Sequence, residues 1–332
     1  MKLLFLRSFS KHDNEFLLSE LSNLYDIIIP DDFSNKSLLE LVKNVDVCLG
    51  LNINKELIEN AQFLKLIQIP GAGVNMIDFN IFKGKKIKVC NSHSNAKYVA
   101  EYGVALLFAL IKKIHIHDNF LRNGSWFKPK NDDSDLLFLN DTLINKKIGI
   151  IGFGHIGQNI AKFLQPYEVD FLVLDKKAKS TNLNIYNGTF NIENLNNLLK
   201  KSDIIFTTIP LTEETRNLLD IEKFKIMKRD AYLINISRSE VVNKKALFNS
   251  LKNNIIRGAA IDVWYNDSVE KNGLKFPSDE FPFHELNNIL LSPYRAGYVM
   301  NYSPHLYDVV KNLKLFALTN TVINEIDINL GY

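Results

Sequence analysis

Gly152, Gly154 and Gly157 stand in the segment GFGHIG, directly after the apolar run KKIGII and at the start of an amphipathic helical pattern. Strand, glycine turn and helix in that order are what a dinucleotide needs. One glycine permits the tight turn, a second lets backbone approach a pyrophosphate, and a third allows close helix–strand contact, while the helix N-terminus faces the phosphates. His155 and Ile156 lie inside the turn and are assigned to cofactor binding with it. Asp175 closes the next apolar run, about 18 residues beyond Gly157, where a carboxylate accepts hydrogen bonds from a ribose diol and favours NAD over NADP. Lys176 and Lys177 beside it act the other way, because cations there tolerate a 2′-phosphate. A plain strand end is the bland alternative for Asp175.

Alternating elements must position that turn. Short apolar runs at 2–7, 26–29, 45–50, 66–69 and 87–90 read as buried strands, with helical patterns such as 14–24 and 37–43 between them. One long helical pattern covers 96–121, apolar on more than one face, with Asn95 as its N-cap. After a loop around 123–140, a second strand series runs through 147–151, 170–174, 204–208, 231–236, 258–263 and 289–291. A last helical segment near 302–318 is expected to return to the first set. The alternation predicts an α/β protein with two doubly wound parallel-sheet domains.

The 332 residues are enough for two domains of about 150 residues each. A chain that is 46% hydrophobic and 23% charged is neither disordered nor fibrous. Forty basic against 37 acidic side chains leave a charge of +3 spread along the chain, which argues against a nucleic-acid surface. Cys48 and Cys90 lack ligand or CxxC spacing and read as reduced structural thiols, and no metal site is expected. MKLLFLRSF holds only a short apolar run, and no later stretch approaches about 18 uninterrupted apolar residues, so a soluble cytoplasmic protein with no membrane partner is expected.

Five ordered blocks extend the reading over most of the chain. They are LKLIQIPGAGVNMID (64–78), NAKYVAE (95–101), GFGHIG, IPLTEETRNLLD with INISRSEVV (209–220 and 234–242), and GAAIDVW (258–264). Together they resemble the NAD-dependent D-isomer-specific 2-hydroxyacid dehydrogenases. The resemblance implies a flavodoxin-like substrate domain from 1–94 and 296–332, hinged to a Rossmann NAD-binding domain of 95–295, with the active site in the cleft. It also implies NAD as cofactor and a homodimer joined through the long helix near 96–121. The backbone N–H groups of Ala72, Gly73 and Val74 are then expected to hold a substrate carboxylate. Arg238 would grip a 2-oxo acid by its carboxylate and by the carbonyl oxygen that becomes negative as hydride arrives. Asp262 would receive the nicotinamide carboxamide, and Pro210 would line the nicotinamide pocket. Ser239 stands where the family usually has glycine.

The pattern breaks at the general acid/base. The family uses a histidine after proline at a strand end, paired with a glutamate five positions beyond the carboxamide-binding aspartate. LLSPYRAG puts Tyr294 at the histidine position, and Asp267 falls at the glutamate position. An imidazole near pKa ~6.5 gives and takes protons at neutral pH, whereas a phenol near ~10 stays protonated, so Tyr294 donates far better than it accepts. A cation such as Arg295 beside it would favour donation. His93, His305 and His284 are further candidates, whereas His115 and His117, two apart on a helix, make a poor metal pair. Leu51, Asn52, Tyr98, Tyr298 and Tyr302 are candidates for the wall that sets substrate size. The expected activity is interconversion of a small 2-oxo acid and a D-2-hydroxy acid, with Arg238 as electrophile, Tyr294 as proton donor and Asp267 as its partner. Two alternatives stay open: an NAD(H)-binding sensor that has lost turnover, and a dehydrogenase whose substrate, like formate, needs no base.

Overall fold

The computed structural model describes residues 1–126, 139–176, 185–189, 191–271, 273–300 and 303–328, so Lys177 and Tyr302 lie outside the described residues. The chain runs through β1 (Lys2–Phe5), α1 (Lys11–Leu21), β2 (Asp26–Ile28), α2 (Asn35–Leu41), β3 (Val47–Leu49), α3 (Lys55–Asn60), β4 (Leu66–Gln68) and β5 (Lys88–Cys90). Then come α4 (Ala96–Ile111), α5 (Ile114–Arg122), β6 (Lys147–Ile151), α6 (His155–Leu164), β7 (Asp170–Asp175) and β8 (Ile185–Thr189). α7 (Ile192–Lys201), β9 (Ile204–Thr207), α8 (Ile221–Ile226), β10 (Tyr232–Asn235), α9 (Lys244–Lys252) and β11 (Gly258–Ile261) follow. The remaining elements are β12 (Val269–Lys271), β13 (Leu274–Phe276), β14 (Ile289–Leu291) and α10 (Leu306–Thr319). Two compact units result: Met1–Asn95 with Tyr298–Tyr332, and Ala96–Gly297.

In the first unit the strands form a parallel sheet ordered β2-β1-β3-β4-β5, the flavodoxin-like order. Successive side chains alternate between its faces. Leu4, Cys48, Ile67 and Val89 meet Leu38 and Leu57 of α2 and α3, while Leu3, Phe5, Val47, Leu49 and Leu66 meet α1 and α10. Each fully buried aliphatic chain contributes about 1.5–3 kcal/mol, so this double-sided burial accounts for strands as short as three residues. α10 is anchored by polar contacts as well: Asn312 Nδ2 donates to Gln68 Oε1 at 2.8 Å, and the Tyr25 hydroxyl donates to the Leu313 carbonyl at 2.7 Å. α1 begins earlier than its apolar pattern predicts, because the Ser10 side chain caps it by accepting from the Asp13 N–H. Cys48 and Cys90 are buried free thiols, each pushed up to about 12 by burial.

The second unit carries a parallel sheet ordered β14-β11-β10-β9-β6-β7-β8. Counted from β8 to β11, six of the strands follow the Rossmann order 3-2-1-4-5-6 with the switch point between β6 and β9, and β14 adds a seventh beside β11. Phe171 and Val173 of β7 pack with Leu107 and Ile160 of α4 and α6, while Leu172 and Leu174 pack with Leu195 and Leu198 of α7.

Three expectations are corrected. The single helix expected over 96–121 is two helices, because Lys113 adopts a left-handed conformation at φ +51°. α4 buries Val99, Ala100, Leu106, Leu107, Leu110 and Ile111, whereas α5 buries none of its residues, so burial on several sides holds only for the first half. β8 is a strand that local sequence does not announce, since IYNGT carries an Asn-Gly pair that signals a turn. The polar run after Trp264 contains the antiparallel pair β12–β13. Among the described residues no helix is long and apolar enough to cross a membrane, and no group of three His, Cys, Asp or Glu is arranged to hold a metal.

Candidate active site

The glycine turn sits at the switch point, and its three glycines meet three different surroundings. Gly152 has φ +94°, and a Cβ there would lie 2.5 Å from Ile209 Cγ2 and 2.9 Å from the Ile209 nitrogen at the end of β9. A Cβ on Gly157 would lie 2.4 Å from the Gly152 carbonyl oxygen. At Gly154 a Cβ would meet nothing within 4 Å. The first and third glycines are therefore required by the protein's own backbone, and the second faces open space. α6 starts at Gly154 with no side-chain cap. An uncapped first turn opposite open space suits a phosphate group. His155 is exposed and Ile156 is half-buried on the α4–α6 core.

Asp175 closes the turn from the side. Its Oδ2 accepts from the Phe153 N–H at 3.0 Å, and the Gly152 N–H donates to the Leu174 carbonyl at 2.8 Å. Lys176 pairs with Glu214 at 3.3 Å. This places an acid beside the phosphate turn and gives the neighbouring cation an acidic partner.

At the ends of β9 and β10 lies a buried polar cluster that the sequence reading did not single out. Thr207 Oγ1 donates to Asn235 Oδ1 at 2.8 Å, and the same oxygen accepts from the Ser237 N–H at 3.1 Å and the Ser237 hydroxyl at 3.0 Å. Asn235 Nδ2 donates to the Arg238 carbonyl at 3.1 Å. Arg238 is half-buried in an extended conformation, and one guanidinium N–H donates to the Ser237 carbonyl at 2.7 Å. Burial pulls this guanidinium below its ordinary value, and nearby Tyr294 opposes that shift. The visible signal was a polar residue closing each of two otherwise apolar strands, IIFT and YLIN. Pro210 is exposed just beyond β9, its carbonyl accepting from Thr215 Oγ1 at 2.8 Å.

Asp262 lies at the end of β11 and is 4% exposed. Its Oδ1 accepts from the Ser292 hydroxyl and from the Arg295 N–H at 2.7 Å, and its Oδ2 accepts from the Ala296 N–H at 3.0 Å. The Tyr294 N–H donates to the Asp262 carbonyl at 2.9 Å. These bonds hold Tyr294 at φ +55°, a left-handed conformation that costs a side-chain-bearing residue about 1–2 kcal/mol. Ser292 is also joined to the Tyr102 hydroxyl at 2.9 Å, and its carbonyl accepts from Trp264 Nε1 at 2.8 Å.

The expected partnership of Tyr294 and Asp267 is not formed. The Tyr294 hydroxyl accepts from the Trp264 N–H at 2.9 Å and donates to the Trp264 carbonyl. Asp267 Oδ2 takes Lys244 Nζ and the Ser278 hydroxyl, each at 2.8 Å, and Lys244 also reaches Glu280 at 3.0 Å. Burial opposes ionisation of Asp267, but these donors outweigh it and hold the carboxyl below the usual carboxylate range. Asp267 Oδ2 is thus held by a lysine and a serine, while its Oδ1 is buried without a hydrogen-bond partner.

In the first unit, the turn after β4 contains Ala72, Gly73 and Val74, whose N–H groups donate to no other described residue. The turn is held from behind, where Asn91 Nδ2 donates to the Ala72 carbonyl at 3.1 Å and the Ser92 N–H donates to the Gly71 carbonyl at 3.2 Å. The His93 N–H donates to Asp308 at 2.7 Å, and the Ser92 hydroxyl donates to the His305 carbonyl, tying this region to the start of α10. Burial holds the His305 imidazole below its ordinary value, with Asp13 pulling the other way. Elsewhere, His284 stacks on Phe276 at 4.0 Å, and His117 meets Asn140 at 3.4 Å. Leu51, Asn52 and Tyr298 are exposed, and Tyr98 is half-buried.

A Rossmann sheet, an uncapped helix over an open glycine and an acid at the end of β7 define a nicotinamide-dinucleotide-dependent oxidoreductase. Residues 104–296 match the family model described as D-isomer specific 2-hydroxyacid dehydrogenase, NAD binding domain. The chain is 32% identical over 290 residues to a glyoxylate reductase of Thermococcus litoralis, covering 84% of this chain and 83% of that one. It therefore belongs to the D-isomer specific 2-hydroxyacid dehydrogenase family. Among solved structures it is similar to an acyclic imino acid reductase in complex with NADPH and D-Arg, at TM-score 0.79 and 28% identity, covering 98% of this chain and 100% of that one. D-2-hydroxyisocaproate dehydrogenase shares the fold at TM-score 0.79 and 20% identity, covering 98% of this chain and 99% of the other.

Proposed function

We propose that this chain reduces C2 of a small 2-oxo carboxylate to the D-2-hydroxy acid with NADH, and that the roles fall to the two units separately. The observation that carries the reading is Arg238, a guanidinium partly withdrawn from water at the end of β10 and fixed by Asn235. Bound reduced nicotinamide supplies the hydride. Arg238 donates to the substrate carboxylate and to the oxygen on which charge develops, where a fixed, desolvated donor is most effective.

The N–H groups of Ala72, Gly73 and Val74, which donate to no other described residue, take a carboxylate oxygen in the first unit. Gly152, Gly154, His155, Ile156 and Gly157 receive the pyrophosphate. Asp175 takes the ribose diol and selects NAD, a preference supported by the Lys176–Glu214 pair. A carboxylate offers about four acceptor positions. Three on Asp262 are taken inside the unit, so one on Oδ2 remains for the carboxamide, with Pro210 on the pocket wall. Tyr294 stands at the proton-donor position, and it gives up its proton only when its bond to the Trp264 carbonyl opens. The exposed face of α5, with Ile114 and Leu121 each more than half exposed, is the proposed subunit contact of a homodimer.

The test is NADH oxidation with glyoxylate and larger 2-oxo acids, comparing the parent with Arg238→Lys and Arg238→Ala. Loss of a fixed donor to the developing oxyanion lowers kcat by roughly 10²–10³-fold while the Kd for NADH stays unchanged. Full turnover by Arg238→Ala would remove the reading. Saturable NADH binding by the parent without turnover on any substrate would leave the sensor reading in its place.

A further inference from the structure

We infer that the same site also reduces, and more readily than the free carbonyl, a protonated carbon–nitrogen double bond, the iminium that a 2-oxo acid forms with ammonia or a primary amine. The inference rests on the site just proposed and names its substrate class.

Reducing a carbonyl consumes a hydride and a proton, so a donor must release a hydrogen to the new alkoxide. At the donor and partner positions the Tyr294 hydroxyl and one carboxylate oxygen of Asp267 are engaged inward, and the other Asp267 oxygen is buried without a partner. The single hydroxyl proton of Tyr294 lies on the Trp264 carbonyl, and Asp267 is bound to Lys244 and Ser278. Arg238, the charged neighbour of Tyr294, does not give up a proton in proteins.

The direction of these bonds also sets what the site offers. A hydroxyl has one donor and two acceptor positions. In Tyr294 the donor is used by the Trp264 carbonyl and one acceptor by the Trp264 N–H, so the hydroxyl of this half-exposed residue has one lone pair left. Tyr294 is thus an acceptor toward substrate, and Arg238 can only donate. A carbonyl oxygen is an acceptor and is repelled by that lone pair. An iminium N–H is a donor and bonds to it, while the carboxylate takes Arg238. Donor-only Arg238 beside acceptor-only Tyr294 complements a molecule with an acidic acceptor at C1 and an N–H donor at C2.

The step balances without an acid. The hydride carried by NADH bonds to C2, the carbon–nitrogen π pair becomes the nitrogen lone pair, and the positive charge is cancelled as NAD⁺ forms. The amine gains its proton from water after release.

The test measures NADH oxidation with pyruvate or glyoxylate at alkaline pH, with and without ammonium or methylamine, and identifies the product by chromatography. A rise of about tenfold or more with amine, and an amino acid product, is expected. Calorimetry in the presence of NAD⁺ supplies a readout apart from turnover. The parent should bind the 2-amino acid more tightly than the matching 2-hydroxy acid, and Tyr294→Phe should lose that preference, roughly tenfold for a hydrogen bond to a charged group. Tyr294→His, which restores a proton donor, should shift the kcat/KM ratio toward the 2-oxo acid, whereas a merely structural change lowers both values together. Equal rates with and without amine and a hydroxy acid product would overturn the iminium and leave the proposed 2-oxo acid reduction intact. No turnover with either substrate, with NADH still bound saturably, would defeat both.

Discussion

Alanine at Gly154 and at Gly157 should have opposite effects on cofactor affinity and on stability. At Gly157, alanine gains about 1 kcal/mol of helix propensity, but its Cβ would stand 2.4 Å from the Gly152 carbonyl oxygen. That oxygen is backbone and cannot swing away, so overpacking of about 1–3 kcal/mol outweighs the gain. A net loss of up to about 2 kcal/mol lowers Tm by up to roughly 8 °C for a domain of this size. At Gly154 the conformation, φ −76° and ψ −158°, is open to alanine and no atom lies within 4 Å of its Cβ. Only the weaker N-cap preference is lost, below about 1 kcal/mol. The methyl instead occupies the space through which the pyrophosphate approaches, and the Kd for NADH should rise tenfold or more, about 1.4 kcal/mol. Fluorescence titration of NADH and thermal unfolding separate the two effects. If Gly154→Ala binds NADH as the parent does, the phosphates do not pass over Gly154 and the assignment of the turn is refuted.

Asp175→Ser should weaken NADH by about 1–2 kcal/mol and narrow the NADH-over-NADPH preference, and unchanged Kd values for both cofactors would remove Asp175 from the ribose site. Ser292→Ala leaves Asp262 and Tyr102 each short of a partner, so a urea titration should show a loss of about 1–3 kcal/mol, and a loss within error would show that Asp262 holds the turn without it. Burial holds the His305 imidazole below its unfolded value near ~6.5, so as pH falls through that value the unfolded state binds a proton that the folded state refuses. Stability should therefore drop on acidification from about pH 6.5 down to the folded value, and His305→Gln should flatten that limb of the urea midpoint against pH; an equally steep limb in the variant would assign it to another group.

Most strands of the two parallel sheets were legible because they are short apolar runs buried on both faces, and the glycine turn because it ties main-chain geometry to residue type. Helix breaks were less legible. LIKKIHIH continues a helical pattern with no glycine or proline, and the left-handed turn at Lys113 leaves no local mark. β8 was hidden by its Asn-Gly pair, which elsewhere marks a turn. The support of Arg238 was half legible: Asn235 and Thr207 are polar residues in apolar strands, but their mutual bond joins residues on two strands and is invisible to local spacing.

The replaced acid/base pair shows most plainly where spacing stops informing. Counting positions located Tyr294 and Asp267, yet neither side chain's work follows from its place in the chain. Tyr294 is bound to Trp264, thirty residues away, and Asp267 to Lys244, twenty-three residues away. A His-to-Tyr exchange alone would leave a glutamate-length acid without its base. Here Tyr294 is bonded to Trp264 and Asp267 to Lys244 and Ser278, and Asp262 clamps the backbone that carries Tyr294. The role proposed for Arg238 is electrostatic and needs no proton transfer. On the reading proposed above, a site whose donor position is bonded inward and whose arginine grips the carboxylate suits a substrate that arrives already protonated.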